Sequence, residues 1–171
     1  MSKAIFQQVL KPTGVSHCTS AFFEHAAAPS GEDSIPNLVV AKFTQIQVYA
    51  IRVPGVRDAE VDIDLSRLEL VGEWSLSGTV ESLAVLRSQQ KGRQRDSILI
   101  TFREAKASLV EFDEATNSLR TISLHCWEDD ALSQGRQSFP KPPTAVTDPQ
   151  GRCAAVSLFK HHLALMPAEG G

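Results

Sequence analysis

One arrangement of apolar and polar residues occurs three times along the chain, at residues 37–51, 96–112 and 153–166. In each stretch, an apolar run is followed by a short polar turn and then by a segment in which apolar and polar residues alternate. Alternation with a period of two places every second side chain on the same face of a strand. The three stretches therefore predict three β-hairpins.

The second strand of each predicted hairpin shows the repeat most clearly. In the first copy, apolar Ile46, Val48 and Ile51 are interleaved with polar Gln45 and Gln47. The matching apolar residues are Ala107, Leu109 and Phe112 in the second copy, and Leu163, Ala164, Leu165 and Met166 in the third. These strands recur at roughly 55 to 60 residues, a spacing that is typical of four-stranded propeller blades with long loops.

Four further segments of alternating character flank the hairpins, at residues 67–76, 80–86, 119–125 and 144–147. Their β-branched and aromatic residues favour strands, and no stretch keeps a helical period for more than about two turns. The pattern predicts an all-β fold, namely a β-propeller fragment of two to three four-stranded antiparallel blades.

A partial N-terminal β-propeller is expected to fill residues 1–171, with blade 1 at about 14–76, blade 2 at about 80–125 and an incomplete blade 3 at about 144–166. A closed ring typically needs four to eight blades. We therefore expect either a piece of a larger propeller or a chain that pairs with another one. An open sheet would otherwise leave a strand edge and an apolar face uncovered.

Charge and cysteine spacing exclude some functions. The formal net charge is −3, whereas a nucleic-acid-binding surface of the strongly basic kind needs several clustered cations. Cys18, Cys126 and Cys153 are odd in number and widely spaced, so neither a disulfide framework nor a zinc site is predicted. No apolar run reaches the roughly 18 to 20 residues of a membrane span, and no membrane association is expected.

Several sequence motifs resemble the N-terminal region of the largest subunit of the cleavage and polyadenylation specificity factor. They are LKPTGV at 10–15, PNLVVAK at 36–42, QVYAIRV at 47–53, the long stretch at 96–130 and DPQGRCAAV at 148–156. They occur in the same order as in that family and extend over nearly the whole chain. The order and the coverage together make the resemblance specific.

The resemblance implies a nuclear scaffold of pre-mRNA 3′-end processing that contains several β-propellers and a C-terminal helical domain. In that family, the polyadenylation signal is read mainly by partner subunits, a WD-repeat protein and a CCCH zinc-finger protein, so contact with pre-mRNA would be indirect. The endonuclease is another subunit. The resemblance thus implies no catalytic residue, no metal, no cofactor and no small-molecule substrate, and we expect this chain not to be an enzyme.

Two alternative functions remain open at this point. Lys91, Arg93 and Arg95 lie in the turn before the second hairpin, where a basic loop tip could contact RNA phosphates directly. Three cations in a turn are more typical of a solvated loop, which is the favoured interpretation. An adaptor function in DNA repair or ubiquitin ligation depends only on the architectural kinship of the family with a DNA-damage-binding protein.

Other conspicuous residues have a simpler interpretation. Adjacent His161 and His162 would point to opposite faces of a strand and cannot readily share a metal, so a turn is favoured. Trp74 and Trp127 each end an alternating segment, where an aromatic side chain more often fills a gap between sheets than stacks on a base. The acidic run at 128–130 is typical of a solvated loop, with docking of a basic partner as the alternative.

Overall fold

The computed structural model describes residues 10–26, 35–52, 66–88, 95–103, 105–127, 142–159 and 162–168. Within these ranges the chain forms eleven β-strands and no helix. The all-β prediction is therefore confirmed. In the same ranges, no helix has the length and apolar character that crossing a membrane requires.

The strands form three antiparallel sheets in chain order. The bounds are β1 His17–Ala21, β2 Asn37–Lys42, β3 Gln45–Arg52, β4 Arg67–Ser75, β5 Val80–Leu86, β6 Ser97–Phe102, β7 Lys106–Asp113, β8 Ser118–Cys126, β9 Thr144–Thr147, β10 Cys153–Ser157 and β11 Leu163–Pro167. Sheet 1 has the order β1-β2-β3-β4, sheet 2 the order β5-β6-β7-β8 and sheet 3 the order β9-β10-β11. Consecutive sheets of this kind are the blades of a β-propeller, which confirms the predicted fold class.

The predicted strands agree closely with the observed ones, with one omission. β5 and β9 have the predicted bounds, β4 is one residue shorter at its C-terminal end, and β8 is one residue longer at each end. β1 was not predicted. Its sequence, HCTSA, contains a single fully buried apolar residue, Ala21, so the period-two signal that identifies the other strands is weak there.

The hydrophobic core consists of two layers, one between each pair of neighbouring sheets. Between sheets 1 and 2 the buried residues include Val39, Ala41, Ile46, Val48, Ile98, Ile100 and Val110. Between sheets 2 and 3 they include Leu99, Ala107, Ala154 and Val156. Because side chains alternate along a strand, sheet 2 supplies Ile98 and Ile100 to one layer and Leu99 to the other.

The second strands of the three hairpins occupy equivalent places, and this equivalence shows which face of each sheet meets the next. Ile46 of sheet 1 and Ala107 of sheet 2 are fully buried against the following sheet. Leu163 of sheet 3 is at the matching position but is 61% exposed, because no described residues form a sheet beyond it. Among the residues that the structure describes, none forms a sheet over the outward face of sheet 3, which carries exposed Val146, Leu163 and Leu165.

One residue of the predicted apolar pattern lies on the wrong face. Ile51 is five residues after Ile46, and an odd spacing along a strand places it on the opposite side. It is 37% exposed, and Ala50 is the buried residue that continues the face of Ile46 and Val48. The prediction that Ile51 extends the apolar face was therefore wrong by one residue.

A buried hydrogen-bond relay joins sheet 2 to sheet 3. The backbone N–H of Ala145 donates to Ser82 Oγ over 2.9 Å, the Ser82 and Thr101 hydroxyl oxygens are 2.6 Å apart, and Thr101 Oγ1 donates to the Pro143 carbonyl over 2.8 Å. Since Thr101 uses its proton on Pro143, Ser82 donates to Thr101. Each buried polar group in the relay is thereby satisfied.

We expect Thr101→Val to destabilise the protein by about 1 to 3 kcal/mol, because the isosteric side chain removes the donor to the Pro143 carbonyl and the acceptor for the Ser82 hydroxyl proton. Denaturant unfolding followed by circular dichroism measures this change. Thr121→Val in exposed β8 is the matched control and should shift the free energy of unfolding by less than about 0.5 kcal/mol. Equal effects of the two substitutions would contradict the relay.

Candidate interaction surface

The structure describes only part of the turn in which Lys91, Arg93 and Arg95 were considered for RNA contact. Lys91 and Arg93 lie outside the described residues, whereas Arg95 lies just before β6. The Arg95 guanidinium forms an ion pair with Glu114 in the turn between β7 and β8. At least one of the three cations is thus neutralised by a nearby carboxylate, and RNA contact at this turn stays a prediction.

The two tryptophans have different surroundings. Trp74 packs between sheets 1 and 2, with its ring 6.3 Å from the ring of Phe112 at 73° and so close to Gly72 that a Cβ there would be 2.4 Å from the Trp74 ring. Trp74 therefore fills a gap between sheets, as predicted. Trp127 packs against the second core layer but also stacks on His125, with ring centroids 5.5 Å apart and planes inclined by 11°.

The remaining conspicuous residues do not form a shared site. His162 contacts the Phe159 ring edge-on and donates its backbone N–H to the Phe159 carbonyl over 3.1 Å. His161 and the acidic run at 128–130 lie outside the described residues. Among the residues that the structure describes, no three His, Cys, Asp or Glu side chains lie close enough to hold a metal ion together.

A groove of about 490 Å³ runs between the outer strands of sheets 2 and 3, and we name it the β8–β11 groove. Its lining includes Leu109, Glu111, Ile122, His125, Trp127 and Met166. Ile122 is 45% exposed there, and the stacked pair of His125 and Trp127 forms one wall. The groove thus offers an apolar contact surface beside an aromatic wall.

Polar groups at the floor of this groove are already paired. Glu111 is buried, and its two carboxylate oxygens accept hydrogen bonds from Ser97 Oγ over 2.9 Å and from the Arg120 guanidinium over 3.2 Å. Both oxygens of this carboxylate are thus engaged by donors within the protein. The groove is therefore suited to contacts with an apolar or neutral occupant.

A second groove, of about 750 Å³, lies between sheets 1 and 2, and we name it the β4–β8 groove. Its lining includes Trp74, Phe102, Ser108, Leu119, Thr121 and Leu124. β8 thus contributes to both grooves, with Leu119 and Leu124 on one side and Ile122 and His125 on the other. Leu124 is 66% exposed, so this groove also presents apolar surface.

Polar groups also stabilise the outward face of sheet 1. Tyr49 Oη donates to Gln47 Oε1 over 2.7 Å, and Gln47 Nε2 donates to Glu73 Oε2 over 2.5 Å. Lys11 Nζ lies 2.5 Å from the other Glu73 oxygen, and these hydrogen bonds from Lys11 and Gln47 lower the pKa of Glu73. The outward face of sheet 1 thus combines these polar groups with the exposed apolar side chains of Ile51, Leu68 and Leu70.

Two aspartates next to strand ends, Asp96 before β6 and Asp148 after β9, have pKa values shifted in opposite directions. The Arg152 guanidinium, whose nitrogens lie 2.8 and 2.9 Å from the Asp148 carboxylate oxygens, holds the pKa of Asp148 at about 2. Burial raises the pKa of half-buried Asp96, although the Phe22 N–H donates to it over 2.9 Å. Since Asp96 N–H also donates to the Phe22 carbonyl over 2.7 Å, these two residues link sheet 1 to sheet 2.

We expect Asp96→Asn to become more stable relative to the parent as the pH rises from the usual aspartate pKa of about 3.9 through the raised pKa of Asp96. In the parent, the raised pKa of Asp96 means that the folded state favours the protonated acid. The stability that the folded state gains from protonated Asp96 is complete below the usual pKa of about 3.9. This stability is lost as the pH rises through the raised pKa of Asp96. The neutral amide keeps an oxygen for the Phe22 N–H and does not titrate. Denaturant unfolding at a series of pH values measures the difference.

Asp148→Asn provides the contrasting control for this pH series. Its lowered pKa stabilises the folded state above the usual pKa, and that contribution is lost as the pH falls towards about 2. The stability of Asp148→Asn relative to the parent should therefore fall as the pH rises. A pH-independent difference for Asp96→Asn would show that burial does not perturb this carboxyl.

Comparison with known proteins places this fold in a family. A model of the RSE1/DDB1/CPSF1 first β-propeller matches residues 15–170. The chain belongs to this family. The match extends over all three sheets of this chain. It confirms the resemblance that the motifs between residues 10 and 156 indicated.

Individual proteins that are similar to this chain support the same family. Cleavage and polyadenylation specificity factor subunit 1 of Arabidopsis thaliana is 33% identical over 93% of this chain and 14% of its own length. The probable subunit 1 of Caenorhabditis briggsae is 38% identical over 74% of this chain and 9% of its own length. Protein cft1 of Aspergillus clavatus is 31% identical over 95% of this chain and 12% of its own length. The chain thus spans 9 to 14% of the length of these relatives.

The groove residues were recognised in the sequence only as strand residues. Alternation at 119–125 predicts β8, but it does not indicate which neighbouring sheet Ile122 or Leu124 faces. The pairing of β7 with β8 shifts by one residue between Leu109 and Val110, and such a bulge changes the side on which later residues lie. A bulge of this kind has no clear signature in a single sequence.

Proposed function

We propose that this chain is a non-enzymatic scaffold module of the nuclear machinery for pre-mRNA cleavage and polyadenylation, where it holds RNA-reading subunits in place. The observation that carries this proposal is the likeness to cleavage and polyadenylation specificity factor subunit 1 over 93% of the chain. The relatives from Caenorhabditis and Aspergillus support the same assignment. An adaptor function in DNA repair has no comparable support beyond the family description.

The described surface supports a binding rather than a catalytic function. The two grooves present apolar side chains, and Glu111 and Asp148 are engaged by arginines. The proposed partners are the other subunits of the machinery, namely the WD-repeat and CCCH zinc-finger proteins that read the polyadenylation signal. Pre-mRNA would then be reached through these subunits.

Affinity purification of the tagged 171-residue chain from nuclear extract tests the proposal. We expect identified cleavage and polyadenylation subunits to be enriched over a matched control in which Val110→Asp disrupts the core between sheets 1 and 2. Quantitative mass spectrometry provides the measurement. Equal recovery of these subunits with the folded chain and the disrupted control would overturn the scaffold function.

The direct RNA-binding alternative makes a separate prediction about Lys91, Arg93 and Arg95. If these cations contact phosphates, replacing all three with Ser should reduce the slope of log affinity against log salt by about 0.7 for each contact with single-stranded RNA. The scaffold function predicts an unchanged slope, in keeping with the ion pair of Arg95 and Glu114. Fluorescence anisotropy with a labelled RNA across a salt series distinguishes the two functions.

A further inference from the structure

The β4–β8 groove lies between two sheets that both contain four strands. Four strands are typical of a propeller blade, and β4 and β8 are the fourth strands of sheets 1 and 2. The groove is thus formed by two full blades. Its volume of about 750 Å³ lies within the range of about 300 to 1,000 Å³ that is usual for ligand sites.

One rim of this groove is held in place by the rest of the fold. The rim is the connection between β4 and β5 at residues 76–79. Its Leu76 N–H donates to the Thr44 carbonyl over 2.8 Å. A Cβ added to Gly78 would lie 2.9 Å from the ring of Phe102, so the connection packs directly against this ring. A rim that is fixed before binding lowers the entropic cost of binding.

Apolar side chains make up much of the lining. Trp74, Val110 and Leu119 contribute from the core layer between sheets 1 and 2. Leu124 lies in the same groove and is 66% exposed. An apolar side chain of a ligand would remove Leu124 from water, which is favourable.

The lining also contains a buried hydroxyl that the fold does not use. Ser108 is 7% exposed and lies on the same face of β7 as Val110. Its hydroxyl forms no hydrogen bond with any residue that the structure describes, whereas the other buried hydroxyls of sheet 2, those of Ser82, Ser97 and Thr101, are all bonded. Buried polar groups normally have partners, so Ser108 offers a hydrogen bond to a ligand in the groove.

The charged residues of the lining are Arg103 and Lys106, and both are basic. No carboxylate belongs to the lining among the described residues. Arg103 is 70% exposed and donates its Nε to Glu81 over 2.8 Å. Its two terminal amino groups bond to no described residue. Such a pair of amino groups matches the two oxygens of a carboxylate.

We propose that the β4–β8 groove binds an acidic, amphipathic segment of a partner protein. An apolar side chain of this segment contacts Trp74 and Leu124, a polar group bonds to the Ser108 hydroxyl, and a carboxylate pairs with Arg103. The apolar lining favours a peptide over a nucleic acid, because binding to a phosphate backbone needs several cations. The proposal goes beyond the scaffold function, since it specifies the chemistry of the bound segment whichever machinery supplies it.

A library of random peptides displayed on phage is the probe for this site. The 171-residue parent is the bait, and Leu124→Asp is used for counter-selection because its new carboxylate repels an acidic segment. Peptides that bind the parent but not Leu124→Asp should be enriched in aspartate and glutamate next to leucine or aromatic residues. Thermal melts establish that this variant and those below are folded.

Two substitutions test the polar contacts with individual selected peptides, measured by fluorescence anisotropy. Arg103→Gln should weaken binding by about tenfold, and Ser108→Ala by about two- to tenfold. Arg52→Gln is the matched control. Arg52 also donates its Nε to a carboxylate, that of Glu69 over 2.9 Å, but does not line the groove, so this substitution should leave the affinity unchanged.

Trp74 provides a local readout of binding. The chain has two tryptophans, Trp74 and Trp127, and Trp127 lines the other groove. In Trp127→Phe, the remaining tryptophan fluorescence comes from the β4–β8 groove. We expect a selected peptide to shift this emission to shorter wavelength over the same concentration range in which the anisotropy rises.

Three results would overturn the proposal. The first is a selection in which no acidic peptide distinguishes the parent from Leu124→Asp. The second is equal affinity of Arg103→Gln and Arg52→Gln for the selected peptides. The third is displacement of the peptides by oligouridine, with weaker RNA binding to Arg103→Gln, which would assign the groove to a nucleic acid. The scaffold function is tested separately, because recovery of processing subunits from nuclear extract does not depend on these peptides.

Discussion

Substituting Val110 by Asp is expected to abolish cooperative folding of sheets 1 and 2. Val110 is 3% exposed, lies opposite Ile98 in the β6–β7 ladder and belongs to the core layer between these sheets. The side chains that surround Val110 in that layer are apolar, so a carboxylate there would be buried in an apolar environment. We expect a loss of more than about 4 kcal/mol, a large share of the total stability of a domain of this size. Thermal unfolding followed by circular dichroism measures it.

Leu124→Asp is the matched control for this substitution. Leu124 is also an apolar residue of sheet 2, but it is 66% exposed, so the new carboxylate stays solvated and the melting temperature should change little. Leu109→Asp should also destabilise the protein, but through the other core layer, because Leu109 packs between sheets 2 and 3. A melt of Val110→Asp within a few degrees of the parent would show that β7 does not lie between two sheets.

The second large effect is expected at Gly151, in the turn between β9 and β10. Its φ of +71° is in the left-handed region, and a Cβ added there would lie 2.3 Å from the Arg87 carbonyl oxygen. Backbone atoms of two different sheets would have to separate to relieve this contact. We expect Gly151→Ala to cost about 2 to 4 kcal/mol, from the strained backbone and the clash together. Denaturant unfolding measures the loss.

Gly14→Ala distinguishes this packing effect from a general effect of replacing glycine. No atom lies within 4 Å of the position that a Cβ on Gly14 would occupy, so this substitution should be neutral or slightly stabilising. If Gly151→Ala behaved like Gly14→Ala, the close approach of the β9–β10 turn to Arg87 would be absent in solution.

Local pattern was sufficient to predict most of the strands, but not the contacts between them. Alternation of apolar residues defines β5 and β9, whereas β1 was missed because Thr19 and Ser20 are polar in a strand that is held by its neighbour. The ion pair of Arg95 and Glu114 and the relay through Thr101 and Pro143 join residues that are distant in the sequence. Such contacts follow from how sheets pack, and a single sequence does not specify that packing residue by residue.

The candidate surface was predictable to an even smaller extent. Trp127 and Met166 were recognised as apolar residues near strand ends, and the structure shows that both line one groove. The exposed state of Leu163 could not be read from its sequence either, because the equivalent residues Ile46 and Ala107 have the same local pattern and are fully buried. The difference arises from the presence or absence of a neighbouring sheet, and the local sequence does not contain that information.

The strands β1, β5 and β9 lie side by side, whereas both grooves open near the outer strands β4, β8 and β11. The three sheets are therefore packed together at their inner strands and separated by grooves near their outer strands. A small rotation of one sheet about its inner strand would change the width of a groove far more than the contacts between the inner strands. A molecule bound in a groove would fix the angle between the two neighbouring sheets, and with it the separation of the turns that these sheets carry.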